Sequence, residues 1–285
     1  MLRKFIDVSL IGLSLLCVSS RAWAQVAPPL GTAAAFGALG NSGVTGAAGL
    51  GVVVTGEVGS YPTPTIINFP PSSTAPPFTI HRTADFVVLQ ARTDAIASYV
   101  NLQGQGPGAV IPDALDTQVL GPGVYSFTLG APLLANNGTL TLNGLPGQVF
   151  IFEVGSTVTA GTGSTVTGTA SPCDIYWRVG TSATLLGAQF RGTVIADASI
   201  TLGDGANLQG RALAGTGATG AVTMSGNGGN TISGCAVAGA GIPTLSQWAM
   251  IVLSVLLALA GAIAIRSRRS QRTIRPAPSP IGAWR

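Results

Sequence analysis

The segment GAQFRGTVIADASITLGDGANLQGRALA, Gly187–Ala214, states one phrase twice. Gly187–Ala196 and Gly205–Ala214 both read G-A-x-Φ-x-G-x-x-Φ-A, where Φ is a large apolar residue, at an offset of 18 positions. Gly163-Ser164-Thr165-Val166 opens the same phrase one turn earlier. A short repeat of strand-forming residues and glycine predicts a β-solenoid, in which each coil completes its core only against its neighbours.

Working outward, the strands divide into two kinds. In the first, apolar and polar residues alternate. Ser156–Ser171, STVTAGTGSTVTGTAS, would pass for a flexible linker on composition alone. Strand side chains alternate between two faces, so Val158 and Val166 point inward and Thr157, Thr159, Thr165 and Thr167 outward. By the same rule Leu185, Ile200, Leu202, Val222 and Met224 point in, while Thr184, Thr201 and Thr223 point out. Threonine has a stiff χ1, so a face built from it is flat, ordered and weakly charged. Threonine is also common on any solvated strand.

The second kind is apolar on both faces: VFIF (Val149–Phe152), IYW (Ile175–Trp177), VIA (Val194–Ala196) and ALA (Ala212–Ala214). A solenoid interior accepts one face only. Phe150 or Phe152, Ile195 and Leu213 therefore need a cover. Thr83–Gln103, TADFVVLQARTDAIASYVNLQ, lacks glycine and proline and is predicted to be helical. Thr83 is its expected N-cap, with Asp85 in the first turn, and Gly104 ends it. Phe86, Leu89, Ile96 and Val100, with Val88 and Tyr99 beside them, form the expected covering stripe.

Composition agrees with a small-residue β fold. Charged residues are 8% and glycines number 40; ordinary domains carry about 25% charge. The apolar content is too high for a disordered polar chain. The formal charge of +4 comes from the chain ends. Between Gln25 and Gly241 five arginines face nine carboxylates, a net −4, so a basic footprint for nucleic acid is missing.

Residues 1–24 read as a secretory signal: Arg3 and Lys4, an apolar run from Ile6 to Ser20, then Ala22-Trp23-Ala24. Residues 248–265 carry no charge and as a helix would span about 27 Å, close to a bilayer core. Arg266, Arg268, Arg269, Arg272 and Arg275 follow, which places the tail in the cytoplasm and the body outside it. The segment from Ile242-Pro243-Thr244-Leu245-Ser246 through Trp248 to the arginines resembles the IPTL-type C-terminal sorting signals of Gram-negative bacteria. That resemblance implies a surface-destined protein whose anchor a membrane protease can remove.

Cys17 falls in the signal, which leaves Cys173 and Cys235 as the expected disulfide pair of an exported body. Two cysteines and the single histidine, His81, fall short of a structural zinc site, and His81 reads as a solvated or capping residue. Nucleophile elbows and phosphate loops are missing and the carboxylates are scattered singly. No enzyme, metal or cofactor is expected.

The stretches Leu30–Pro62, FPP (Phe69–Pro71), VLGPGVYSF (Val119–Phe127), GQVFIFEVGSTVT (Gly147–Thr159), CDIYWRVGTSATL (Cys173–Leu185), Phe190–Ala214 and GGNTIS (Gly228–Ser233), in that order, resemble the bacterial and fungal ice-binding-like domain. The resemblance covers Leu30 to Cys235, within a domain of residues 25–241. It implies a right-handed discontinuous β-solenoid with one long helix alongside, one flat face of which adsorbs to ice and often carries T-[A/G]-x-[T/N] steps. Thr162–Thr165 fits that step, Leu186–Gln189 departs at both ends, Asp204–Asn207 keeps the second half, and Thr216–Thr219 fits. The ice-contacting residues so implied are Thr157, Thr159, Thr162, Thr165, Thr167, Thr184, Thr201, Asn207 and Thr223. The expected function is that of an exported ice-binding protein limiting ice growth or recrystallisation. The alternative is a surface adhesion module of the same fold, associated with extracellular matrix or exopolysaccharide. The expected partners are thus ice or matrix, the membrane through 248–265, and a sorting protease.

Overall fold

A computed structural model describes residues 25–227 and 229–235. The expected signal (1–24), the sorting segment from Ile242 and the apolar run 248–265 lie outside the described residues. Among the described residues no helix is long and apolar enough to cross a membrane.

Each coil visits three faces in turn and then pairs, in parallel, with the next. Phe150–Val154, Val158–Ala160 and Thr165–Thr167 make one coil. Ile175–Val179, Ala183–Leu185 and the start of Gln189–Ala196 make the next, with Phe152↔Trp177, Thr159↔Thr184 and Thr165↔Gln189 in register. The repeated phrase is one coil step: Gln189–Ala196 pairs with Asn207–Ala214 along its whole length. Its glycines are the corners. Gly187 and Gly205 have φ of +63° and +72°, and Gly192 and Gly210 have +116° and +156°, a region closed to most side chains. A Cβ on Gly210 would lie 1.9 Å from the Gly192 carbonyl oxygen.

Stacking order departs from chain order. The N-terminal strands Phe36–Gly40, Gly43–Thr45 and Val53–Val54 extend the stack beyond the last C-terminal coil, with Ala38↔Ala212, Thr45↔Thr223 and Val53↔Thr231. Glu57–Ser60, Ile66–Ile67 and Ser73–Thr74 add a further coil. The helix Phe86–Gln103 then carries the chain to Ala109–Ile111, at the opposite edge of the sheet.

The helix begins later than the sequence suggests and buries a different stripe. Asp85, not Thr83, is the N-cap; its carboxylate accepts from the Val88 amide at 3.0 Å. The buried positions are Val88, Ala91, Ala95, Ser98 and Leu102. Phe86 is 74% and Val100 58% exposed, and Leu89 and Ile96 are only half-buried. The sheet explains the difference. It presents Ile151, Tyr176, Ile195 and Leu213 outward, with Phe36 and Leu39 beside them. Large side chains on the sheet leave room for small ones on the helix. Each large residue covered contributes about 1.5–3 kcal/mol. Phe150 and Phe152 both point into the solenoid, not out to the helix, and Ile151 takes the outward place. Replacing Ala95 by phenylalanine is expected to cost about 1–3 kcal/mol by overpacking. Phe86→Ala should stay within about 0.5 kcal/mol. Paired thermal melts would check both.

Inside, aromatic rings stack from coil to coil. Phe152 and Trp177 have centroids 3.9 Å apart, Trp177 and Phe190 4.9 Å, and Tyr125 and Phe152 5.5 Å.

His81 ties the helix start to the solenoid. Nε2 lies 3.0 Å from Glu57 and Nδ1 2.9 Å from the capping Asp85. Two carboxylates can both accept only from an imidazolium. Burial pulls the His81 pKa down, but the hydrogen bonds to Asp85 and Glu57 outweigh it and leave it raised. A raised folded value stabilises fully below the unfolded pKa, about 6.5. That contribution fades as pH rises through the folded value. Wild type should therefore melt lower as pH climbs above neutrality, and His81→Gln should flatten that slope. Melting curves from pH 6 to 9 test this.

Candidate functional site

The surface opposite in kind to the helix-covered face is the seven-stranded parallel sheet. Its strands run in the order Leu133–Leu134, Val158–Ala160, Ala183–Leu185, Ile200–Leu202, Ala221–Met224, Gly43–Thr45, Ile66–Ile67. Val158, Leu185, Ile200, Leu202, Val222, Met224 and Val44 point inward and are buried. Outward stands one file in unbroken register: Leu133, Thr159, Thr184, Thr201, Thr223, Thr45, Ile67. At about 4.8 Å per strand step it runs roughly 29 Å. None of these strands contains a charged or aromatic residue. Two positions earlier on the five central strands stand Thr157, Ser182, Ser199, Ala221 and Gly43. Two of those serine hydroxyls accept backbone amides of the next coil, from Ser199 to Ser182 and from Ala221 to Ser199. The edge of the file is thereby fixed.

A second threonine-bearing surface lies around the corner. Its outward file reads Thr139, Thr165, Gln189, Asn207, Thr231, Val53, Ser73. Beside it run Thr141, Thr167, Arg191 and Gln209. Arg191 stands in mid-surface, donating to Gln209 Oε1 at 3.1 Å and to the Gly168 carbonyl at 2.8 Å. This surface is polar and carries a charge.

The residues singled out from the sequence therefore separate. Thr159, Thr184, Thr201 and Thr223 share the file on the seven-stranded sheet, and Thr157 flanks it. Thr165, Thr167 and Asn207 belong to the second surface. Thr162 lies in the turn between the two, with Leu186 and Asp204 at the equivalent corners of later coils; Thr162 Cγ2 is 3.6 Å from where a Gly187 Cβ would be. The T-G-S-T step thus straddles a corner. Leu186 and Asp204 interrupt the corner, and the file passes unbroken through Thr184 and Thr201. Thr216–Thr219 falls in the turn between Asn207–Ala214 and Ala221–Met224, on neither file. Sequence reasoning missed Thr45, which the N-terminal coil inserts beside Thr223, and it missed Thr139, Thr141 and Thr231. The signal for Thr45 was the GVTG step at Gly43–Gly46, legible only once that coil is placed. Cys173 and Cys235 are both free thiols, the first partly open and the second buried.

This geometry has relatives. A family model described as Ice-binding-like matches residues 38–233. An ice-binding protein of Nostoc sp. (strain HG1) is 40% identical over 204 residues, covering 70% of this chain and 72% of that protein. The chain belongs to the ice-binding-like family. Solved structures of that kind superpose on it. The ice-binding protein of the Antarctic ascomycete Antarctomyces psychrotrophicus aligns with a TM-score of 0.63 at 31% identity, over 72% of this chain and 97% of that one. An ice binding protein from an Antarctic biological consortium aligns with a TM-score of 0.64 at 33% identity, over 73% and 91%. A second family model, the IPTL-CTERM motif, matches residues 240–269. The ice-binding-like match indicates no enzyme family.

Proposed function

We propose that this ice-binding-like protein adsorbs to ice through the outward face of its seven-stranded sheet. The file Thr159, Thr184, Thr201, Thr223 and Thr45 carries the reading, because it is in register and uncharged. Parallel strands set hydroxyl and methyl groups about 4.8 Å apart along the stack, and the flanking positions repeat them about 6.6 Å away along each strand. Stiff χ1 angles hold that grid fixed. The hydroxyls hydrogen-bond surface water of the crystal at little further cost in order, and the methyls are relieved of liquid water when they meet the lattice. A charge such as Arg191 would hold its own hydration shell against the lattice, which argues for the uncharged sheet over the second surface. Residues 1–24 serve as the export signal, and 242–285 as a sorting segment whose apolar run, 248–265, anchors the body outside the cytoplasm.

Full-length protein in detergent micelles, offered to a slowly growing ice hemisphere, should enter the ice while empty micelles are excluded. It should also slow recrystallisation at micromolar dose. Exclusion from ice would refute the assignment, and enrichment in exopolysaccharide instead would identify a matrix module.

A further inference from the structure

Cys173 and Cys235 come from separate coils and meet at one point of the fold. Cys173 lies in the short turn Pro172–Asp174 that leads into Ile175–Val179, its amide donating to Ser171 Oγ at 3.2 Å. Cys235 follows Thr231–Ile232, the strand held between Asn207–Leu208 and Val53–Val54. That strand is where the last C-terminal coil joins the first N-terminal one. Cys235 is buried and Cys173 partly open. The ladder Tyr176–Thr193–Arg211 joins their surroundings: Tyr176 is three residues after Cys173, and Arg211 reaches the Cys235 carbonyl. Arg211, itself buried, donates to the Cys235 carbonyl, to Thr193 Oγ1 and to the Ala34 carbonyl.

We infer that Cys173 and Cys235 form an oxidative staple beside this seam, tying the strand Thr231–Ile232 back to the coil that begins at Ile175, with Cys173 as the sulfur that reacts first. The staple rests on the reading of the chain as exported, because the oxidant is a disulfide-bearing exchange partner of an oxidising compartment. The Cys173 thiolate attacks one sulfur of that disulfide. A mixed disulfide forms on Cys173 and the partner leaves as a thiolate. Cys235 then gives up its proton and attacks the Cys173 sulfur, expelling the second partner thiolate. Both protein thiols are oxidised, the partner disulfide is reduced, and two protons are released. Accessibility sets the order, and so does acidity. The hydrogen bond from Cys235, aided by Arg211, lowers the Cys173 pKa to about 7 against the opposing effect of burial. The same hydrogen bond and burial push Cys235 up. The thiolate is the nucleophile. Closing the loop from Cys173 to Cys235 adds a covalent tie to a two-residue strand that its ladders and the Arg211 bond to the Cys235 carbonyl otherwise hold.

The test uses the reduced full-length chain with oxidised glutathione. Wild type should lose both thiols, fall in mass by two hydrogens and yield one Cys173–Cys235 peptide. Its Tm should rise by about 10 °C, as expected for a closed loop of about 60 residues. Cys235→Ser should trap a stable glutathione adduct on Cys173, and Cys173→Ser should react at least about tenfold more slowly. Two persistent thiols, or glutathione adducts alone in wild type, would overturn the staple. Equal rates for the two single variants would overturn the order of attack. Protein that oxidises in the tube but is recovered reduced from cells would retain the staple and count against export.

Discussion

Thr201→Tyr should remove at least about nine-tenths of the ice-adsorbed fraction, the consequence of forfeiting about 1.4 kcal/mol or more of adhesion. Thr201 is the middle of the five-threonine file, with Thr184 and Thr223 directly opposite it in the ladders on either side. A phenol ring there stands above the neighbouring methyls and holds a flat lattice away from the whole file. Tyrosine suits an exposed strand position, so Tm should barely change, and a circular-dichroism melt distinguishes a lost surface from a lost fold. Thr165→Tyr supplies the contrast. Thr165 pairs with Thr139 and Gln189 on the second surface, and the same ring there should leave adsorption intact. If Thr165→Tyr abolishes adsorption and Thr201→Tyr does not, the two surfaces have been exchanged.

Trp177→Ala is expected to have the largest effect on stability, about 3–5 kcal/mol. Trp177 is fully buried. Its ring stacks on Phe152 at 3.9 Å and Phe190 at 4.9 Å, and Nε1 donates to the Arg191 carbonyl at 2.9 Å. Alanine leaves a cavity in the aromatic column and a carbonyl without its donor. For a domain of this size each kcal/mol lowers Tm by about 2–4 °C, so a fall of about 10 °C or more should appear by calorimetry. The threonine file lies on another face. Near 0 °C the surviving folded protein should therefore still enter ice. Loss of adsorption while the fold persists would show that the column also sets the flatness of the sheet.

Those two sites were unequally legible in the sequence. The coil step and its corners were readable because they are local: a glycine at Gly192 or Gly210 announces a backbone that other residues cannot adopt. The inward and outward parity of Val158, Thr159, Leu185 and Thr201 was readable for the same reason. The division of the threonines between two surfaces was not. Alternation fixes which side of a strand a residue takes, but not where the coil bends, so Thr162–Thr165 looked like a run on one face although it rounds a corner. Thr45 was hidden because its neighbour Thr223 lies at the far end of the chain. The helix misled through its chemistry. Ala91, Ala95 and Ser98 pack closely because they are small, and small residues leave a weak apolar stripe, whereas Phe86 and Val100 mark a face that water reaches.

The placement of the N-terminal coil after the last C-terminal one bears on timing. Ser42 and Gly220 are 178 residues apart and hydrogen-bonded. The first coil to leave the ribosome can pair at once with the coil that follows it, but its other side has no partner until nearly the whole body has been made. Contacts of such separation close slowly, and an early segment without its partner stays open in the meantime. On the export proposed above, this delay would be useful. The stack cannot close on that side before its last coils emerge, and its seam becomes a clock that starts only when synthesis of the body is almost complete.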